Sequence, residues 1–346
     1  MKPGFILAGI LLLGAAALTG QAPSPEQKHL ESGSAHLDRG EVEPAVQEFK
    51  AAVALNPQNA AAHMLLGRAY VAQRSIGMIA EAKAEFQQAL DLDPTLLWAR
   101  FYLARIYLDM GRTDKAKGEL EKGLAAKPGV PHFLSLLGEA ERKLGNYAAS
   151  LDLHAQALAA DPAMNTAHYY AALTYMDLKK DDDAISELER SIDSRFVAPE
   201  MYLTLGSLYT KRRRFTEAES VCKKAIALDP SRAEGYLNLG QLYSVQGASD
   251  KALAALHVAL EGRVFPTSPY YQTLQADVFF ETGRAHQAKH AKAEAIQAFE
   301  RSLDYDSNRA ETHQRLSELY QAQGDPRRAS EHRAAAAKVK AGPAAQ

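Results

Sequence analysis

Cys222 is the only cysteine in the chain, so no intramolecular disulfide can form and no multi-cysteine metal site can be built. An excess of either charge is missing too. With 40 basic residues against 42 acidic ones, the formal net charge of −2 gives no electrostatic reason to expect nucleic acid or an anionic membrane as partner. The apolar run from Phe5 to Leu18 is short of the roughly 20 residues that a membrane-spanning helix needs. Runs of β-branched residues are scarce, which disfavours sheet. Nor is there a Gly-rich phosphate loop, a serine nucleophile elbow or a paired-carboxylate site. No catalytic residue, cofactor or metal site is therefore expected, and the chain is not expected to be an enzyme.

What the chain has in quantity is Ala, Leu, Glu, Gln, Lys and Arg, which favour helix throughout. Its first 22 residues read as an export signal: Lys2 as a basic start, the apolar run, then small residues Gly20 and Ala22 at a cleavage site. An uncleaved N-terminal anchor is the alternative. Leu18-Thr19-Gly20 looks like a lipobox, but Gln21 stands where a lipoprotein carries its acylated cysteine, which argues against a lipid anchor. The expected location is periplasmic or extracellular, with no stable membrane insertion once the signal is removed.

Past that segment the sequence repeats. Pro57, Pro94, Pro128, Pro162 and Pro230 are 37, 34, 34 and 68 residues apart, the last gap being two periods of 34. The three extra residues in the first gap fall near Ile76-Gly77-Met78, where a wider turn is expected. Before each proline a helical stripe recurs at spacings of four and three, as in Ala45, Phe49, Ala52 and Ala82, Phe86, Ala89. It continues with substitutions such as Ser150, His154, Ala157 and Ala218, Cys222, Ala225. An earlier helix in each unit carries a small residue and often a tyrosine three further on, as in Gly67 with Tyr70 and Gly240 with Tyr243. A mid-helix glycine costs about 1 kcal/mol relative to alanine, so its return in register implies close helix packing. Polar turns such as Gly111-Arg112-Thr113-Asp114 and Gly145-Asn146-Tyr147 separate the two helices and should cap the second.

A small residue and tyrosine in one helix, alanine-aromatic-alanine in the next and a closing proline every 34 residues resemble the tetratricopeptide repeat family. The resemblance implies an all-α solenoid, a right-handed superhelix of about nine helix pairs. The expected repeats lie near 26–59, 60–96, 97–130, 131–164, 165–198, 199–232, 233–266, 267–309 and 310–340, within a solenoid over 23–341 and before a short tail at 342–346. Phe196 and Val264 stand where the closing proline belongs, and His154 and Cys222 where a large aromatic is usual. The stretch after Pro266 is seven residues too long, which calls for a longer helix or an inserted loop within 264–275. Ser24-Pro25-Glu26-Gln27 offers a starting cap, and Arg333 replaces the core aromatic of the last unit, as a terminal element should show.

In this family first-helix residues line a concave groove. Projecting the period picks out Met64, Arg68, Trp98, Phe101, Arg105, Tyr169, Leu173 and Met176, which are large and apolar for a solvated face. Such a set suits an extended peptide or an amphipathic helix that carries a carboxylate. The bland alternative is that several of them pack against neighbouring first helices. The asparagine and lysine of the family's chaperone-binding carboxylate clamp are missing, with Leu30 and Ser34 at those places in the first unit.

Other candidates carry less. His286 and His290 have the spacing of a metal pair on one helix face but lack a third ligand. Cys222 and His154 read as core residues, Lys211 to Arg214 as a solvated turn and Asp181 to Asp183 as a helix start. The functional expectation is an exported scaffold or adaptor for a protein or peptide. An assembly factor for a pilus or secretion apparatus, or an accessory subunit of an envelope polysaccharide complex, are its rivals.

Overall fold

Each stretch of helix formers between turn residues folds as one rod. The computed structural model describes residues 23–73, 75–193, 197–261 and 269–341, and among them there are eighteen helices and no strand. The rods pair in sequence order into nine hairpins. Five are α1 (Pro25–Asp38) with α2 (Val42–Leu55), α3 (Ala60–Ala72) with α4 (Ile76–Leu92), α5 (Leu97–Asp109) with α6 (Thr113–Ala126), α7 (Pro131–Lys143) with α8 (Tyr147–Ala160), and α9 (Asn165–Asp177) with α10 (Asp181–Ile192). The other four are α11 (Pro199–Lys211) with α12 (Phe215–Leu228), α13 (Ala233–Val245) with α14 (Ser249–Glu261), α15 (Pro269–Ala288) with α16 (Lys292–Tyr305), and α17 (Ala310–Gln323) with α18 (Pro326–Ala341). The chain divides into two units, Met1–Phe196 and Val197–Gln346, so α1 to α10 belong to unit 1 and α11 to α18 to unit 2. The expected signal segment, the tail, and the proline substitutes Phe196 and Val264 lie outside the described residues.

Packing follows the small residues. A methyl group added at Gly33 would sit 2.6 Å from the Phe49 ring, at Gly67 2.9 Å from Phe86, at Gly138 2.6 Å from His154, and at Gly283 2.6 Å from Phe299. In these four hairpins the first helix has no side chain where the central residue of its partner's stripe lies against it, which is how the glycine offsets its helix penalty. The stripe itself is sealed: Ala45, Phe49, Ala52, Ala82, Phe86, Ala89, Ala252, Leu256 and Ala259 are all at 0% exposure. Close approach also joins one hairpin to the next within unit 1, where Gly123 of α6 makes room for the Phe133 ring of α7.

The turns differ in detail from what proline alone suggests. At the ends of α2, α4, α8, α12 and α16 the side-chain oxygen of Asn56, Asp93, Asp161, Asp229 or Asp306 accepts from the backbone N–H two residues on. Asp306 does so with Ser307 where the others have proline, so the Asx turn is the more constant device and proline reinforces it. Ser24 caps α1 as expected by accepting from the Gln27 N–H. The expected caps of α6 and α8 are not made: Arg112 and Asn146 hold the N-cap positions without a side-chain bond to the helix, and the Asn146 amide donates to Glu141 instead.

The three extra residues near Ile76 do not widen a turn. They lengthen α4 to 17 residues at its start, because Met78 and Ile79 gain contact with the unit 1 core. The excess after Pro266 is taken up at least in part by α15, which has 20 residues where the other first helices have 13 or 14. No helix among the described residues is long and apolar enough to cross a membrane.

Candidate functional site

Neighbouring first helices pack side by side, α1, α3, α5, α7 and α9 in unit 1 and α11, α13 and α15 in unit 2, so each unit presents its own first-helix face. In unit 1 the centre of that face is aromatic. The Trp98 ring lies edge-on to Phe101 at 5.5 Å and to His132 of α7 at 5.5 Å, with Tyr102 at 6.5 Å. Phe101 reaches Phe133 at 5.6 Å, and Tyr102 stacks on Phe86 of α4 at 5.3 Å. These edge and stacked arrangements suit the ring quadrupoles, and together they tie α4, α5 and α7. Trp98, Phe101, Tyr102 and His132 are half-buried, so each keeps part of its ring in solvent. Burial holds His132 below its ordinary histidine range, opposed by Asp161, and so favours the neutral ring.

Of the eight residues picked out by the period, Met64 is the one the structure puts inside, at 7% exposure within the unit 1 core. Its side chain offers little to a partner. Arg68 of α3 is half-buried, with its guanidinium 5.9 Å from the centre of the Tyr102 ring. Tyr169, Leu173 and Met176 follow one another along α9 and are half-buried, with Tyr169 5.7 Å from Tyr170. Burial pushes the Tyr170 hydroxyl up to about 12, and its ring stacks 6.1 Å from His154. Arg105 is exposed one turn after Phe101 and forms no ion pair among the described residues.

An ion-pair network completes the face. Arg142 donates from Nε to Glu139 at 2.7 Å and from a terminal nitrogen to its other oxygen at 2.9 Å, and its second terminal nitrogen reaches Asp177 of α9 at 2.5 Å. Lys143 stands 3.7 Å from the same Glu139 carboxylate. Glu139 is only 6% exposed, so this fork is what makes its charge tolerable. Asp109, exposed at the end of α5, has a carboxyl that partial desolvation pushes up while Arg105 and Lys143 pull it back.

His132, Glu139, Arg142 and Asp177 were absent from the projected set. His132 and Glu139 stand 34 residues after Trp98 and Arg105 of that set, whereas Arg142 and Asp177 stand 34 after Leu108 and Lys143, which it did not contain. The weaker candidates fall into place elsewhere. His290 lies beyond α15, which ends at Ala288, and takes a left-handed φ of 58° in the turn, so it does not share a helix face with His286. Cys222 is fully buried and its thiol is pushed up to about 12 by desolvation, first of all, which leaves it protonated. Within the basic run, Arg213 takes the same turn conformation, and Arg214 covers the Tyr209 ring at 4.3 Å and pairs with Glu217. Asp181 to Asp183 form the first turn of α10.

The first-helix face of unit 2 is made of other chemistry. In the register of Trp98 stand Glu200, Glu234 and Asp277, in that of Phe101 and Tyr169 the buried Leu203, Leu237 and Phe280, and in that of Arg105 Ser207, Gln241 and Arg284. Asn238 of α13 donates to the Leu203 carbonyl at 2.8 Å, which holds neighbouring helices together.

Comparison with known proteins places this geometry. Family models described as tetratricopeptide repeat match residues 77–140, 209–278 and 136–196, and one described as TPR repeat matches 33–73. A tetratricopeptide repeat and J domain-containing co-chaperone of Fusarium oxysporum f. sp. lycopersici is 32% identical over 150 residues, covering 42% of this chain and 27% of that protein. The human protein O-mannosyl-transferase TMTC3 is 23% identical over 331 residues, covering 80% of this chain and 35% of that protein. The chain thus spans about a third or less of the length of these relatives. Among solved structures, the Cut9–Hcn1 hetero-tetramer of the APC/C superposes with a TM-score of 0.63 at 15% identity, covering 96% of this chain and 78% of that one.

Proposed function

Because the chain belongs to the tetratricopeptide repeat family, we propose that it is an exported scaffold that holds a protein or peptide partner against the first-helix face of unit 1. Repeats of this family form scaffolds for contact between proteins, and the observation that carries the finer reading is the half-buried aromatic group of Trp98, Phe101 and His132. Rings already packed on one side lose little freedom when a partner covers the other, so they are suited to act as anchors. Export rests on the N-terminal segment read above. No group of three or more metal-ligating side chains is found among the described residues, and the reading assigns no reaction to the chain.

The test is the paired change Trp98→Ala and Phe101→Ala. Partner capture in the native host should fall at least tenfold while helicity is kept, and a collapse of the melting temperature would assign both rings to the core. Mass spectrometry of the secreted protein should find its N-terminus near Gln21 or Pro23, and an intact Met1 would refute export. Recovery of a sugar polymer with no protein would favour the polysaccharide-complex alternative.

A further inference from the structure

The ion-pair network of unit 1 leaves Arg105 and Asp109 without ion-pair partners among the described residues. Glu139 is shared by Arg142 and Lys143, and Asp177 is engaged by Arg142. Arg105, on the same face, makes no ion pair among the described residues, and Asp109 one turn further on feels its charge without pairing with it. Phe101 precedes Arg105 by four residues on α5, so the two side chains share one face of the helix. A ligand laid across Phe101 and Trp98 therefore also covers the Arg105 guanidinium. Taking that cation out of water with nothing to pair it would offset what the rings contribute, whereas a carboxylate from the ligand turns the same burial into a charge-assisted, two-pronged bond. Glu139 and Asp177 already have cations and offer little to a basic ligand.

We propose that the unit 1 face selects peptide segments in which a large aromatic side chain is flanked by carboxylates, with Trp98, Phe101 and His132 taking the ring and Arg105 taking the acid. This rests on the reading of that face as the partner-binding one, and goes beyond it by fixing the chemistry of the partner.

The sole tryptophan of the chain sits in the site, so its emission reports occupancy without a label. Three amidated heptapeptides serve as probes: a central phenylalanine flanked by two aspartates, by two glutamines, or by two lysines. The full chain should bind the aspartate peptide at least tenfold tighter than the lysine peptide, with the glutamine peptide between them. That order should compress as salt is raised. Arg105→Glu should reverse it, and because Arg105 is exposed its melting temperature should stay close to that of the parent. Arg301→Glu, a similar charge change on an exposed residue of α16, should leave the order as it was. Equal binding of all three peptides, or an order that survives Arg105→Glu, would overturn the carboxylate assignment while leaving the face a binding site. Failure of all three to bind would overturn both.

Discussion

The two units use one packing rule and present first-helix faces of different chemistry. In the first eight hairpins the same geometry recurs, with a glycine or alanine on the first helix against a sealed stripe on the second, whether the central stripe residue is Phe86 and His154 in unit 1 or Cys222 and Phe299 in unit 2. On the first-helix face, unit 1 carries Trp98, Phe101, Tyr169 and Met176, and in the same registers unit 2 carries Glu200 and Glu234 for Trp98, the buried Leu203 and Leu237 for Phe101 and Tyr169, and Thr210 and Ser244 for Met176. The interior is constrained at every repeat because a ring and a methyl group cannot occupy one space. The face has no such constraint, so its chemistry is free to differ between units and can report on what each one touches.

The strongest way to break the comparison is to open the ion-pair network that ties α7 to α9 in unit 1; unit 2 has its own pairs, Arg232 with Glu200 and Glu234, Arg309 with Asp277, and Arg284 with Glu281. Arg142→Ala leaves Glu139 charged at 6% exposure, with Lys143 as its remaining cation. Removing one partner of a buried pair costs about 3–5 kcal/mol, and the nearness of Lys143 puts the expected loss at the lower end. Hydrogen exchange should show α7 and α9 opening while α11 to α16 keep their protection. Equal loosening in both units would mean that the network does not act locally.

A smaller effect sharpens the difference through acid. His154 fills a stripe position at 1% exposure with neither ring nitrogen hydrogen-bonded among the described residues, and desolvation, helped by Arg142, pushes its pKa down to about 4. The unfolded chain takes up the proton near the ordinary value of 6.5. Between those two values the unfolded state binds more protons than the folded one, so stability is lost as pH falls from 6.5 toward 4. With each pKa unit equivalent to about 1.4 kcal/mol, the loss approaches about 3 kcal/mol by the bottom of that window. Phe299, the corresponding ring of unit 2, carries no such proton. His154→Phe should therefore flatten the acid limb of the melting curve and raise stability at neutral pH. A limb unchanged by that substitution would place the acid sensitivity elsewhere, with His332 of α18, also held down by burial, the next candidate.

How much of this was legible beforehand divides along the same line as the two faces. The hairpins, their register and their sealed stripes could be read because close packing demands small residues at fixed intervals, and Ala45 or Gly67 can be counted without coordinates. Met64 could not be told from a surface residue, because counting along one helix does not say how deeply its neighbours cover it. Glu139 and Arg142 escaped for a related reason. Their meaning lies in a pairing with Asp177 across helices, which spacing along one helix does not reveal. The side-chain caps expected at Arg112 and Asn146 failed because these turns satisfy the chain by another route, the left-handed residue after the first helix and its backbone bonds back to that helix.

That left-handed residue supports the smallest prediction. Gly111 and Gly145 in unit 1 and Gly247 in unit 2 hold φ of 69°, 83° and 76° there, and the residue after each donates its N–H back to the last turn, as Arg112 does to the Tyr107 carbonyl at 2.8 Å. Lys179 in unit 1, and Arg213 and His290 in unit 2, occupy the same position at φ 58° although each has a Cβ. The side chain costs about 1–2 kcal/mol in that conformation, and the greater freedom of glycine in the unfolded chain takes back part of the gain. Lys179→Gly and Arg213→Gly should each stabilise by about 0.5–1 kcal/mol, measured by urea unfolding. Equal gains would show that both units obey one turn geometry as they obey one packing rule. A gain at Lys179 with a loss at Arg213 would mean instead that the Arg213 side chain makes a contact worth more than the strain.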